Sequence, residues 1–192
     1  MFPTTVWTRI HQAATWDQAA LQEFAQRYRP AVLEFIESRG FPTANADDLC
    51  QDVFLRILRG GVLAKADSTR GRFRSLLLAV TTHVIQDHLR KQREIPVQDL
   101  EPPARQPDFD QTWAWYLTQR ALERLRDHGS PYYNVLAEHL SGKKQDSNKL
   151  WIARRKLAAM IRQEVALTCG TRADFEEELA YLSRYLQPAK KQ

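Results

Sequence analysis

Cysteine is scarce in this chain. Cys50 and Cys169 are the only two in 192 residues, far apart and in no metal-ligand spacing. A disulfide framework or a structural zinc site is therefore not expected, and a reducing, cytoplasmic setting is compatible. Long apolar runs are also missing. None approaches the roughly eighteen residues a membrane-spanning helix needs. The opening MFPTTVWTRIHQAA lacks the apolar core of a signal peptide. Glycine is sparse, with no Gly-rich phosphate loop and no nucleophile elbow. The histidines, His11, His83, His88, His128 and His139, show no metal-ligand spacing. Useful β-alternation and internal repeats are absent as well. The expectation is an all-α protein that is not an enzyme and carries no cofactor and no metal.

What remains is the profile of an ordinary globular protein, 43% hydrophobic and 27% charged. A formal charge of +5 and a pI near 9.4 point to an acidic partner. The charge is clustered. From Arg70 to Arg93 six basic residues, Arg70, Arg72, Arg74, Arg90, Lys91 and Arg93, stand against one acid, Asp87. From Lys143 to Arg162 seven stand against Asp146.

Apolar residues at three- and four-residue steps predict a helix over 16–37, which Pro30 bends or divides. A second runs from Asn45, a plausible N-cap, to Arg59. A third spans Phe73 to Gln92. Residues 95–110, with Pro96, Pro102, Pro103 and Pro107, read as a linker. Further helices are predicted over 109–127, 131–140, 148–168 and 172–186, with Ser141 to Ser147 a polar turn. Trp113, Trp115 and Tyr116 read as core rather than as a base-stacking platform.

On the third helix Phe73, Leu77, Val80 and Val84 share one face. Ser75, Ala79, Thr82, His83, Gln86, Arg90 and Arg93 lie opposite. Arginines there can hold phosphates, and Thr, His and Gln can hydrogen-bond bases. The same face also suits a solvated helix whose C-terminal cations complement the dipole. Arg70, Arg72 and Arg74 fit that second account poorly, because the dipole disfavours cations at a helix start.

The segment from Leu77 to Arg90, LLAVTTHVIQDHLR, resembles the promoter-melting helix of bacterial sigma factors of the extracytoplasmic-function group. His83 stands where that family commonly has Asn. Upstream, Ala46 to Phe54, ADDLCQDVF, is similar to the family's polymerase-docking helix. The style of Ser68 to Ser75 is similar to sigma-like proteins of planctomycete-type bacteria. The resemblance implies two small helical domains joined by a Pro-rich linker. A region-2-like bundle would cover 1–94, a linker 95–110, and a divergent region-4-like helix-turn-helix domain 111–192.

It also implies a transcription initiation protein that binds core RNA polymerase and promoter DNA and helps melt the −10 element. Asp48, Gln51, Asp52 and Leu55 would meet polymerase. Arg70, Arg72, Arg74, Thr82, His83, Gln86, Arg90, Lys91 and Arg93 would meet the −10 DNA. In the second half, Tyr133 to Leu140 matches the first helix of a −35 reader, and Lys149, Arg154 and Arg155 would lie on its recognition helix. An alignment in which Pro131 to Leu140 is a preceding helix stays open. An anti-sigma protein is a further candidate partner, and a membrane is not one. Two other readings remain: a helical DNA-binding regulator that never engages polymerase, and a protein-interaction adaptor derived from the same fold.

Overall fold

The computed structural model describes residues 18–59, 73–92 and 107–186. Within them the chain forms α1 (Gln18–Ser38), α2 (Thr43–Arg59), α3 (Phe73–Gln92), α4 (Pro107–Asp127), α5 (Pro131–Leu140), α6 (Ser147–Leu167) and α7 (Arg172–Leu182), with no strand among the described residues. The all-α expectation holds.

Local chemistry sets most of the helix ends. Gly40 takes φ +88°, a left-handed conformation that closes α1, and its N–H donates to the Glu37 carbonyl at 2.9 Å. Asp146 caps α6 by accepting from the Lys149 N–H at 2.9 Å. Thr171 and Asp174 form a reciprocal capping box at the start of α7. Pro131 begins α5, where its missing donor costs nothing.

Two expected ends move. Asn45 does not cap α2. The Ala46 N–H already donates to the Pro42 carbonyl at 2.9 Å, so Asn45 lies within a turn that starts at Thr43. Pro107 to Asp110, expected in the linker, form the first turn of α4 because proline fits a first helical position. Pro30 neither ends nor divides α1. It lies on the exposed side of the helix, where water can replace its lost N–H.

The main hydrophobic core draws on α1, α2, α3, α4, α6 and α7 together. α1 contributes Phe24, Tyr28, Val32, Phe35 and Ile36, and α2 contributes Leu49, Val53, Phe54 and Ile57. α3 adds Phe73, Leu77, Val80 and Val84. α4 enters this layer with Phe109, Trp113 and Leu117, spaced by four residues along one stripe. Trp113 is fully buried and stacks between Phe109 and Tyr28, with ring centroids 6.2 and 5.9 Å away. Trp113 and Tyr116 are core as expected, whereas Trp115 is exposed. A second, smaller cluster holds Leu125, Leu136 and Ala153, with Leu122, Leu150 and Leu157 packed on it.

α4 is shared between the two hydrophobic clusters. The N-terminal part of α4 lies in the core of the first three helices, and its C-terminal part carries α5 and α6. The apolar stripe of α4 is too long for the small second cluster, so it buries in the first.

Buried ion pairs join the same parts. The Arg74 guanidinium, 6% exposed, contacts Asp110 of α4 and donates from Nε to Glu178 of α7 at 2.7 Å. It also covers the Tyr181 ring at 4.6 Å. The Tyr181 hydroxyl donates to Asp110, which pushes its own pKa up to about 12. Glu164 of α6, 1% exposed, accepts from Arg27 of α1 at 2.6 Å and from Arg124 of α4 at 3.0 Å. Such groups persist in a low-dielectric interior only when paired. Both cysteines are buried and unbridged, and burial pushes the Cys50 thiol up to about 11.

Candidate functional site

α2 separates its residues sharply. Ala46, Leu49, Cys50, Val53, Phe54 and Ile57 are buried, while Asp48, Gln51, Asp52 and Leu55 are exposed. Positions 48, 51, 52 and 55 follow helical spacing, so the four form one outward stripe. Leu55 is 42% exposed and continues the stripe that holds Asp48 and Asp52. The neighbouring Asp47 is occupied, accepting from Arg29 of α1 at 2.7 Å.

α3 buries Phe73, Leu77, Val80, Thr81 and Val84. Ser75, Ala79, His83, Arg90 and Lys91 are exposed, and Thr82 and Gln86 are half-buried beside them. Thr82, His83, Gln86 and Arg90 therefore lie together on an accessible polar face, whereas Lys91 is exposed on the side turned toward α2, beside Asp52 and Leu55. Arg70, Arg72 and Arg93 lie outside the described residues.

Asp87 links the two helices, whose packing rests on their shared apolar core. It accepts from Arg56 of α2 at 2.7 Å and lies 3.6 Å from Arg90. The Arg56 hydrogen bond holds its carboxyl below the ordinary carboxylate range. A depressed folded pKa means this contribution is present at neutral pH and is lost as pH falls through that pKa. Both side chains are more than a third exposed, so the brace is worth roughly 0–1 kcal/mol. A cleft of about 490 Å³ lies over it, lined by Asp52 and Leu55 from α2 and by His88 and Lys91 from α3. The polymerase and DNA candidates thus occupy adjoining surfaces of one rigid helix pair.

Arg74 is a correction. It was expected to hold a phosphate, but its guanidinium is buried against Asp110 and Glu178. Its place at the start of α3, which the dipole disfavours, is explained by those two acids.

In the second half, Ser141 to Asp146 connect α5 to α6, with Gly142 at φ +85°. Lys149, Arg154 and Arg155 are all exposed on α6. Arg154 reaches His139 of α5 at 3.2 Å, and Arg155 lies over the Trp151 ring at 4.6 Å. Trp151 is 57% exposed, and sequence reasoning missed it because tryptophan at helical spacing usually marks core. Among the described residues no group of His, Cys, Asp or Glu could hold a metal ion, and no helix is long and apolar enough to cross a membrane.

Comparison with known proteins bears on the first half. Residues 24–95 match the family model for Sigma-70 region 2. Neither the curated proteins nor the solved structures contain a match to the chain. The region-2 match spans most of α1 and all of α2 and α3, the helices that carry both candidate faces. It supports a sigma-70 region-2 domain, and with it association with RNA polymerase and promoter recognition in general. The match stops before α4, although the hydrophobic cluster of α1, α2 and α3 also takes in residues of α4, α6 and α7.

Proposed function

We propose that the chain is a sigma-factor-like transcription initiation protein of the extracytoplasmic-function type, a binding protein rather than an enzyme. Asp48, Gln51, Asp52 and Leu55 dock on a helical arm of core RNA polymerase. Thr82, His83, Gln86 and Arg90 engage the −10 element and help capture its unstacked strand, with Arg70, Arg72 and Arg93 as further phosphate contacts. Extruding a base costs a few kcal/mol, and a basic groove offsets that with salt-sensitive affinity. The observation that carries the reading is the coincidence of the region-2 match with two adjoining exposed faces braced by Arg56 and Asp87. Lys149, Arg154 and Arg155 add phosphate contacts from the second half.

Single faces can be tested separately. Asp48→Ala with Gln51→Ala should weaken core polymerase binding about tenfold or more while leaving affinity for promoter DNA alone within about twofold. Arg90→Ala should do the reverse and reduce the salt dependence of DNA binding by about one counterion. Fluorescence anisotropy with each partner measures both. Equal losses in both assays would point to misfolding instead of two faces. A DNA-binding regulator that never meets polymerase would show no loss from the α2 variant in either assay.

A further inference from the structure

A second cleft, of about 580 Å³, lies away from the α2 and α3 faces. It is walled by Arg27 of α1, Arg120 and Arg124 of α4, Arg162 and Glu164 of α6, and Phe175 of α7. Four guanidinium groups converge there. Both carboxylate oxygens of Glu164 are already taken, one by Arg27 and one by Arg124. Arg120 donates from Nη1 to the half-exposed Glu123 at 3.0 Å, and its Nε is buried without an acceptor among the described residues. Arg162 has no carboxylate partner among the described residues. Each guanidinium carries five N–H donors, so the cleft holds donors and positive charge well beyond what two acids satisfy. The rest of its lining is the polar Gln163 and an apolar wall of Ala166, Leu167 and the ring of Phe175.

We propose that this cleft binds a nucleoside di- or triphosphate. Arg162, Arg120 and the outer donors of Arg124 and Arg27 hold its phosphates, in the geometry by which guanidinium groups fork onto phosphate oxygens. The base lies against Phe175 and Leu167. The volume is within the range of small-molecule sites, which couple an apolar wall to a few convergent polar groups. Because the walls come from α1, α4, α6 and α7, the ligand ties the region-2 helices to the second half. It therefore raises the stability of the whole chain by mass action. The proposal does not rest on polymerase binding, since it concerns the isolated chain.

Isothermal titration of the full chain with ATP and GTP tests it, with adenosine and inorganic tripolyphosphate as partial ligands. At least one nucleotide should bind more tightly than tripolyphosphate, adenosine should not bind, and bound nucleotide should raise the melting temperature. Arg162→Ala, at an exposed position, should weaken binding by about tenfold or more. Arg126→Ala, the same charge loss at an exposed site off the cleft, should leave it unchanged. The absence of binding by both nucleotides at millimolar concentration overturns the proposal. Equal loss from the two variants also overturns it, because the attraction would then be diffuse charge. A short single-stranded oligonucleotide that binds in an Arg162-dependent manner and excludes the nucleotide would assign the cleft to a nucleic-acid backbone, again overturning it.

Discussion

Arg74→Ala is expected to destabilise the fold by about 3–5 kcal/mol, the cost of leaving buried charge without its partner. The loss is large because one cation serves two acids. Asp110 and Glu178 would remain near each other in an interior from which Arg74 had excluded water. The Tyr181 hydroxyl would still donate to Asp110, but a phenol cannot neutralise it. Arg74→Lys keeps the charge yet cannot present the same fork to both carboxylates, so an intermediate loss is expected. Urea denaturation followed by circular dichroism measures both variants. A phosphate-binding arginine would give the opposite pattern, with stability retained and DNA affinity reduced.

Trp113→Ala should cost a similar 3–5 kcal/mol, from lost transfer energy and from the cavity left in a close-packed core. Its ring lies between Phe109 of its own helix and Tyr28 of α1, so the cavity would open at the seam between the two halves. The unfolding transition should shift as one cooperative step and take the region-2 helices and α4 to α7 together. Two independent domains would instead give a biphasic curve, with α5 and α6 melting at their original midpoint. Trp113→Phe should be much milder. The indole Nε1 is buried with no hydrogen-bond partner among the described residues, so phenylalanine removes volume but also removes that donor.

The helices were legible in the sequence because their signals are local. The apolar spacing of Leu49, Val53 and Ile57 places the buried face of α2 and, by elimination, the outward one. Proline at 131 and glycine at 129 mark the break between α4 and α5. The sharing of α4 between two clusters was not legible. Proline richness marks a stretch that is poor in helix, but it says nothing about which core the next helix joins. Phe109 and Trp113 would look the same in a separate bundle as they do against Tyr28 and Phe35.

The role of Arg74 was half visible. A cation at a helix start needs a reason, but the acids that supply it are 36 and 104 residues away in sequence. Asp87 was similar. Its pairing with a neighbouring helix could be anticipated from its type, while Arg56 as the partner required the packing of α2 on α3. The arginine cleft left no local signature at all, since its members come from four helices.

The central claim is that the exposed stripe of α2 and the polar face of α3 act together on polymerase and promoter. Run-off transcription with core RNA polymerase and a library of genomic promoters measures that claim most directly. Start sites should appear that depend on this chain and disappear with either Asp48→Ala and Gln51→Ala together or Arg90→Ala. A library in which no start site depends on the chain, although it is folded and core polymerase is active, would contradict it.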